Sequence, residues 1–366
     1  MSERVKAVIL HPKDWASGRY MTGYEYTHVS IGGKIPRKRN KTPTFDGYAD
    51  MATDEGVQNL RDTFAKVKPH IFLFWLHGGF GGSIIAQLKK VSPQTKFCMW
   101  FGNHRPGVAG NVMQLRRWLD MLFLNSTDSR QYKIYQRIGL RVGTLWDGFN
   151  PADVKLSEKK PKYDCVFGGN TYLPLVESHR KGHKLDFPGG KIRYDLIDRV
   201  AKKFKLLVRS GYKTWPKHVK VLPEVFHPHY HEFLRDGKIT LDVNHFPTLR
   251  QAYTRRMIRS MFAKRCHIRL YTPGIEEHFE NRKHLVWFRN IEEGIDLIRY
   301  YLEHDNEREE IAEAGYRLAC EKWTFEQRMH DFERMTRPLV DPNWKKAKRA
   351  EKIARAKVLK KKKGKK

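Results

Sequence analysis

Cysteine is scarce in this chain: Cys98, Cys165, Cys266 and Cys320 stand far apart, and no Cys-x-x-Cys pair occurs. That excludes a disulfide framework and argues against a cysteine zinc site. Three of the four lie in apolar, strand-like runs and read as buried reduced thiols. Long hydrophobic runs are also missing. No stretch approaches the roughly 20 apolar residues that a membrane-spanning helix needs. The opening MSERVKAVILHP enters the strand-like VKAVIL directly, without the apolar core and cleavage site of a secretory leader. A cytoplasmic chain with no membrane span is the expectation (the host's cytoplasm, were the source viral). Gly78, Gly79, Gly81 and Gly82 do not make a P-loop, because no Gly-Lys-Ser/Thr follows, and the dinucleotide fingerprint is absent at the first strand.

Acidic residues are the remaining deficit. Forty Asp and Glu face 71 Lys and Arg, for a formal net charge of +31 in 366 residues. The segment from Asp341 to Lys366 holds 13 Lys/Arg against Asp341 and Glu351, a local +11, which leaves +20 on the rest. The basicity therefore belongs to the body as well as the tail. Such a field attracts polyanions: nucleic acid, anionic lipid or polyphosphate. At 40% hydrophobic and 12% aromatic residues, the chain has enough apolar material for real cores.

Continuous apolar runs alternate with helical spacing, which predicts doubly wound α/β domains. Strands are expected at 5–10, 71–76, 96–101, 121–125 and 142–146, with helices over 57–67, 83–91, 112–120 and 131–138. The polar, Lys-rich stretch 154–162 reads as a linker between an N-terminal domain, 1–153, and a second domain, 163–322. In that second domain strands are expected at 163–167, 205–208 and 219–221, and helices at 194–204 and 229–235. A closing helix lies within 323–340, with Pro338 and Pro342 expected to break the chain before a basic, disordered tail, 341–366. His227, His229 and His231 alternate, but no Cys completes a ligand set, so no metal is expected there.

The stretch from Lys238 to His330 runs strand, Arg-rich helix, strand, Thr272-Pro273-Gly274, an acidic helix start, strand and two amphipathic helices. With Phe149-Asn150-Pro151, Tyr163 to Gly169, Gly211 and Arg256 in the same order, it resembles group-1-like glycosyltransferases of the CgeB/YkvP type, which have the GT-B fold. The resemblance implies two Rossmann-like domains facing a cleft and an enzyme that moves a sugar from a nucleotide-sugar donor, UDP- or GDP-linked, to an acceptor hydroxyl. It implies no essential metal or other cofactor. The donor would sit on the second domain: Gly168, Gly169 and Asn170 would let backbone approach a diphosphate. Arg209, Gly211 and Arg256 would border it, and the segment Thr272, Gly274, Ile275 and Glu276 would offer N–H groups to phosphates or sugar. The glycines read equally as ordinary turns, Arg256 as one residue of a basic helix face, and Glu276 as a helix-start acid.

The chain departs from that family at two acidic positions. Arg259 stands where related enzymes carry the glutamate that holds the donor ribose, and Gln251 with Arg259 where related retaining enzymes carry an E-x7-E pair; a guanidinium cannot accept hydrogen bonds from ribose hydroxyls. A base for direct displacement would come from the first domain, from His104, His77 or Asp147, each after an apolar strand. Basic body and tail point to a polyanionic acceptor, with DNA bearing hydroxylated bases, as in bacteriophages that glycosylate their genomes, the acceptor expected. A transferase of envelope glycan or surface protein, one anchored to anionic membrane by its tail, and a non-catalytic nucleic-acid binder on a transferase scaffold are the alternatives. Sugar, stereochemistry and oligomeric state are not legible.

Overall fold

The computed structural model describes residues 4–12, 23–31, 47–49, 53–75, 80–102, 107–154, 160–171, 187–211, 214–225, 229–341 and 343. The first lobe is built on seven strands: β1 Lys6–Pro12, β2 Glu25–Ile31, β3 Gly47–Ala49, β4 Ile71–Trp75, β5 Lys96–Phe101, β6 Met121–Leu124 and β7 Val142–Thr144. They form one parallel sheet in the order β3-β2-β1-β4-β5-β6-β7. Helices α1 Asp54–Val67, α2 Gly82–Val91, α3 Gly110–Leu115 and α4 Ser129–Gln136 connect them. The second lobe carries β8 Tyr163–Gly168, β9 Leu206–Arg209, β10 Val221–Leu222, β11 Gly237–Asp242, β12 Cys266–Leu270 and β13 Val286–Phe288, in the parallel order β10-β9-β8-β11-β12-β13. Its helices are α5 Pro188–Ala201, α6 His229–Arg235, α7 Arg255–Phe262, α8 Ile291–Glu303 and α9 Asp305–Lys322; α10 Phe325–Val340 follows.

Central strands of a parallel sheet are covered on both faces, which is why β4 to β6 read as unbroken apolar runs. Alternate side chains divide between two cores. Leu10, Phe72, Phe74, Phe97, Met99 and Leu122 pack under α1 to α3. Ile9, Leu73, Trp100 and Phe123 face the other way, against Phe325, Met329 and Phe332 of α10. Each such side chain contributes about 1.5–3 kcal/mol by leaving water. Thus α10 follows the second lobe in sequence but completes the core of the first.

The chain crosses between lobes twice, at one place. Phe149 N–H donates to Trp323 O (3.2 Å), and Phe325 N–H to Phe149 O (3.2 Å). Only glycine fits at 148, since a Cβ would come within 2.7 Å of Thr324 O. Farther along α10, the Glu333 carboxylate accepts from Gly23 N (3.1 Å), Tyr24 N (3.0 Å) and the Tyr26 hydroxyl (2.9 Å).

Some elements differ from expectation. The edge strands β2 and β3 carry none of the apolar runs that mark the sheet's centre. The helix expected over 112–120 is α3 followed by a 3₁₀ turn, Arg116–Trp118. Strand β7 stops at Thr144, and beyond it Trp146 packs against Tyr253 of the other lobe. Pro338 does not break the closing helix: it sits in the last turn of α10, where its missing N–H costs one hydrogen bond, and Asp341 N–H still closes on Arg337 O (2.9 Å). Among the described residues no helix is long and apolar enough to cross a membrane, and the four cysteines are unbridged.

Candidate active site

The loops that leave the carboxyl ends of both sheets meet. After β6, Ser126 Oγ donates to Arg250 O (2.8 Å), Thr127 Oγ1 to Gln251 Oε1 (2.6 Å) and Arg130 Nη2 to Thr248 O (2.9 Å). Asp128 caps α4 by accepting from the N–H of Arg130 (2.9 Å), and it also accepts from Arg250 N (3.0 Å). Burial alone would raise its carboxyl, but the Arg130 side chain and the N–H groups of Arg250 and Arg130 outweigh it, and the pKa falls to about 2. After β7, the Trp146 indole donates to Gln251 O (3.0 Å), while its rings meet Tyr253 and His278 at 5.8 and 5.0 Å. The crevice of an open α/β sheet lies outside the carboxyl ends of its strands, so both lobes present their ligand-binding edge here.

Within the second lobe, one carboxylate gathers a set of arginines. Asp242, the last residue of β11, is fully buried. Its oxygens accept from Arg256 Nε (2.9 Å) and Thr254 Oγ1 (2.7 Å), with Arg269 Nη2 at 4.0 Å. Burial opposes the charge, yet Arg256 and Arg269 hold its carboxyl well below the ordinary carboxylate range. Thr254 also caps α7, accepting from Met257 N (3.2 Å), and thereby fixes where Arg256 points. A Cβ on Gly169 would lie 3.3 Å from Arg256 Nη1, so the glycine loop after β8 and this arginine are in contact. A Cβ on Gly168 would meet the Tyr230 hydroxyl at 2.5 Å. Asn170 joins the loops after β8 and β9: its Oδ1 accepts from Ser210 Oγ (2.7 Å) and Gly211 N (2.9 Å), and its carbonyl from Arg193 Nη1 (2.7 Å).

Arg193 is also fully buried and donates from Nε to Val243 O (2.7 Å). It comes from α5, whose start presses on both loops. A Cβ on Gly189 would fall 1.7 Å from Asn244 O, and one on Gly190 2.3 Å from Thr171 O. Arg259 lies between the rings of Phe149 and Tyr230, 5.0 Å from each centroid. Arg193, Arg256 and Arg269 thus surround a single carboxylate at the ends of β8 and β11, with Arg259 beside the neighbouring Tyr230. The excess positive charge suits an anion, and guanidinium forks suit phosphate oxygens.

Of the expected donor residues, Gly168, Gly169, Asn170, Gly211 and Arg256 come together. Arg209 points elsewhere: its Nη1 donates to Pro223 O (3.0 Å) and its guanidinium lies over the Phe233 ring (5.6 Å). The segment after β12 forms a separate wall. Thr272 is buried and accepts from Arg269 Nη2 (2.9 Å). Gly274 has φ +78°, the left-handed region that favours glycine, and leads into the 3₁₀ turn Ile275–Glu277. Ile275 is a core residue whose N–H closes on Thr272 O (3.1 Å), and the Glu276 carboxylate accepts from the Tyr271 hydroxyl (3.2 Å). Gln251 ties this wall to the first lobe: its Nε2 donates to Gly274 O (3.1 Å) and Glu277 Oε2 (2.6 Å) while Oε1 accepts from Thr127.

In the first lobe, Asp147 is buried and paired with Arg255 Nε at 3.3 Å across the interface. His77 and His104 lie outside the described residues, as do His227, residues 155–159 and the chain beyond Asn343. His231 is buried edge-on against Phe149, and His229 is exposed beside Glu232. Among the described residues no three His, Cys, Asp or Glu side chains stand close enough to hold a metal ion.

Sequence reading missed Asp242, Arg193, Asn244 and Tyr230. A polar Asp-Val-Asn-His directly after a buried strand was the available signal for Asp242 and Asn244. Arg193 and Tyr230 gave none, because their contacts lie 23 to 62 residues away.

Residues 193–334 match the family model described as glycosyl transferase-like. No match was found among curated proteins. Solved structures similar to the chain include a glycosyltransferase from Rickettsia africae, at 12% identity and TM-score 0.56 over 92% of this chain and 99% of that one. Anabaena Alr3699/HepE in complex with UDP and glucose is similar at 10% identity and TM-score 0.57 over 91% and 99%. An α-glucosyltransferase in complex with UDP and a 13-mer DNA containing an HMU base is similar at 10% identity and TM-score 0.56 over 90% and 98%. Two parallel sheets meeting at their carboxyl edges are the GT-B arrangement of glycosyltransferases.

Proposed function

We propose that this protein is a glycosyltransferase of CgeB/YkvP-like type, moving a sugar from a UDP- or GDP-linked donor to a hydroxyl of a polyanionic acceptor in the cytoplasm, without metal or other cofactor. One observation carries the reading: the glycine loop after β8 touches Arg256, itself oriented by Asp242, with the buried Arg193 and Arg269 close by. The segment that supplies Arg193, Asp242, Arg256, Arg259 and Arg269 falls within the glycosyl transferase-like match.

The donor's diphosphate would lie against Gly168, Gly169 and Arg256, with Gly274 to Glu276 forming the opposite wall. As the glycosidic bond breaks through an oxocarbenium-like state, negative charge grows on the departing diphosphate. Fixed guanidinium groups stabilise that charge without reorganising. His77, His104 or Asp147, which follow β4, β5 and β7 in the sequence, would receive the acceptor's proton in an inverting reaction. Asp147 would first have to leave Arg255. DNA with hydroxylated bases is the acceptor we favour, since the body's positive charge suits duplex phosphates.

The test is to incubate the protein with a panel of UDP- and GDP-sugars, alone and with hydroxymethylated duplex. Nucleotide release and a hexose- or pentose-sized mass gain on the duplex are expected. Release without any mass gain on DNA would move the acceptor to glycan or protein; no release from any donor would reject the enzyme. A second reading, a nucleic-acid binder without catalysis, is favoured by Arg259 between Phe149 and Tyr230 at a position where the resembling family places an acid.

A further inference from the structure

A cavity of about 690 Å³ opens on the side of the second lobe remote from the meeting edges. Lys162, Tyr163, Phe204, Lys205, His218 and Lys220 line it. These residues stand where β8, β9 and β10 begin, whereas the Gly168 loop is where β8 ends. Five residue steps of about 3.3 Å separate the two ends, or about 17 Å, so a ligand here cannot be the donor diphosphate.

The lysines are placed by the sheet. Each stands at or next to the start of one of three neighbouring strands, and such strands run about 4.8 Å apart. Tyr163 organises two of them: Lys205 Nζ and Lys220 Nζ each lie 5.5 Å from its ring centroid, and Lys220 Nζ also donates to its hydroxyl (3.0 Å). The nearby carboxylates are otherwise engaged. Asp164 accepts from the Lys205 backbone N–H (2.9 Å), and Asp198 pairs with Lys202 (2.7 Å) and lies 3.4 Å from the His218 ring. None of Lys162, Lys205 and Lys220 forms an ion pair among the described residues. Three uncompensated ammonium groups across neighbouring strands, around a concave aromatic floor, match successive phosphates of a nucleic-acid strand better than a flat lipid surface.

We propose that this cavity is a second, phosphate-binding site that holds the phosphodiester backbone of a nucleic-acid acceptor while the reacting sugar is handled between the lobes. The proposal rests on the glycosyltransferase reading for the word acceptor, and its test keeps the two apart. Full-length protein and the triple variant K162Q/K205Q/K220Q are titrated into a fluorescent duplex oligonucleotide of about 12 base pairs, followed by anisotropy, between about 50 and 200 mM salt. Removing three phosphate contacts should lower the slope of log affinity against log salt by about 2.7 and weaken binding at least about tenfold near 0.1 M. The single K162Q variant should lower the slope by about 0.9. Melting temperature and the thermal shift given by UDP should be unchanged.

Wild-type affinity and slope in the triple variant would overturn the proposal. So would a loss confined to phosphatidylserine vesicles, or binding of inorganic pyrophosphate at these lysines without any oligonucleotide effect. A protein that never responds to UDP or GDP sinks the donor reading instead and leaves the oligonucleotide result to be judged by itself.

Discussion

Replacing Asp242 by Asn tests the site at its electrostatic centre. The two side chains have the same shape, so packing is kept while the charge is removed. In the wild type this buried carboxylate faces Arg256 at 2.9 Å and Arg269 at 4.0 Å, with Arg193 and Arg259 in the same cluster. Removing one partner of a buried ion pair leaves the other charge uncompensated and costs about 3–5 kcal/mol. At about 2–4 °C per kcal/mol for a domain of this size, the second lobe should melt about 10 °C lower. An anion ought to take the missing charge's place. Pyrophosphate at about 100 times its dissociation constant contributes about 2.7 kcal/mol, enough to recover much of the deficit. The sign with pH is fixed by the lowered folded-state pKa: the carboxylate's contribution is present above the ordinary value near 3.9 and fades as pH falls below it. Wild type and variant should therefore converge under acid. Differential scanning calorimetry at several pH values, with and without pyrophosphate, measures all three effects. A variant melting within about 2 °C of wild type at neutral pH would refute the claim that Asp242 neutralises this cluster.

Further expectations are as direct. Arg256→Lys keeps charge but loses the fork, so affinity for a nucleoside diphosphate, read by calorimetric titration, should drop at least about tenfold with little change in melting temperature. Gly189→Ala would push a Cβ into Asn244 O; a loss of about 3 kcal/mol or more should appear as poor expression or a much lowered denaturant midpoint. Glu333→Ala strands three donors at the seat of α10 and should cost about 2 kcal/mol in urea unfolding. Asp128, with its pKa near 2 when folded, contributes stability that is complete above about pH 4 and is lost as pH falls toward 2; Asp128→Asn should flatten that part of the stability–pH curve.

The architecture was legible where burial is two-sided. The runs at β4, β5, β6 and β8 are apolar because helices or α10 cover both faces, and their order alone implied two doubly wound lobes. Strands β2 and β3 lie at a sheet edge, and the residues that form them are mixed in polarity, so they were not legible. The glycine loop and Arg256 could be named only through the family resemblance, since locally the glycines read equally as a turn and Arg256 as one residue of a basic helix face. Arg193 could not be ranked among many charged residues, since its importance comes from long-range contacts, and Asp242 was marked only by its place at the end of a buried strand. Gln251 read only as a missing acid, yet it joins Thr127, Trp146, Gly274 and Glu277 across the lobes. Pro338 shows the opposite error, a strong local signal made harmless by its position in a last turn.

The most direct test of the central claim is calorimetric titration of the wild type and of Arg256→Gln with UDP, GDP and their sugar conjugates. Saturable binding of one nucleotide by the wild type, weakened at least about tenfold by the substitution, is the predicted result. Equal binding by both proteins, or no heat from any nucleotide with either, would contradict it.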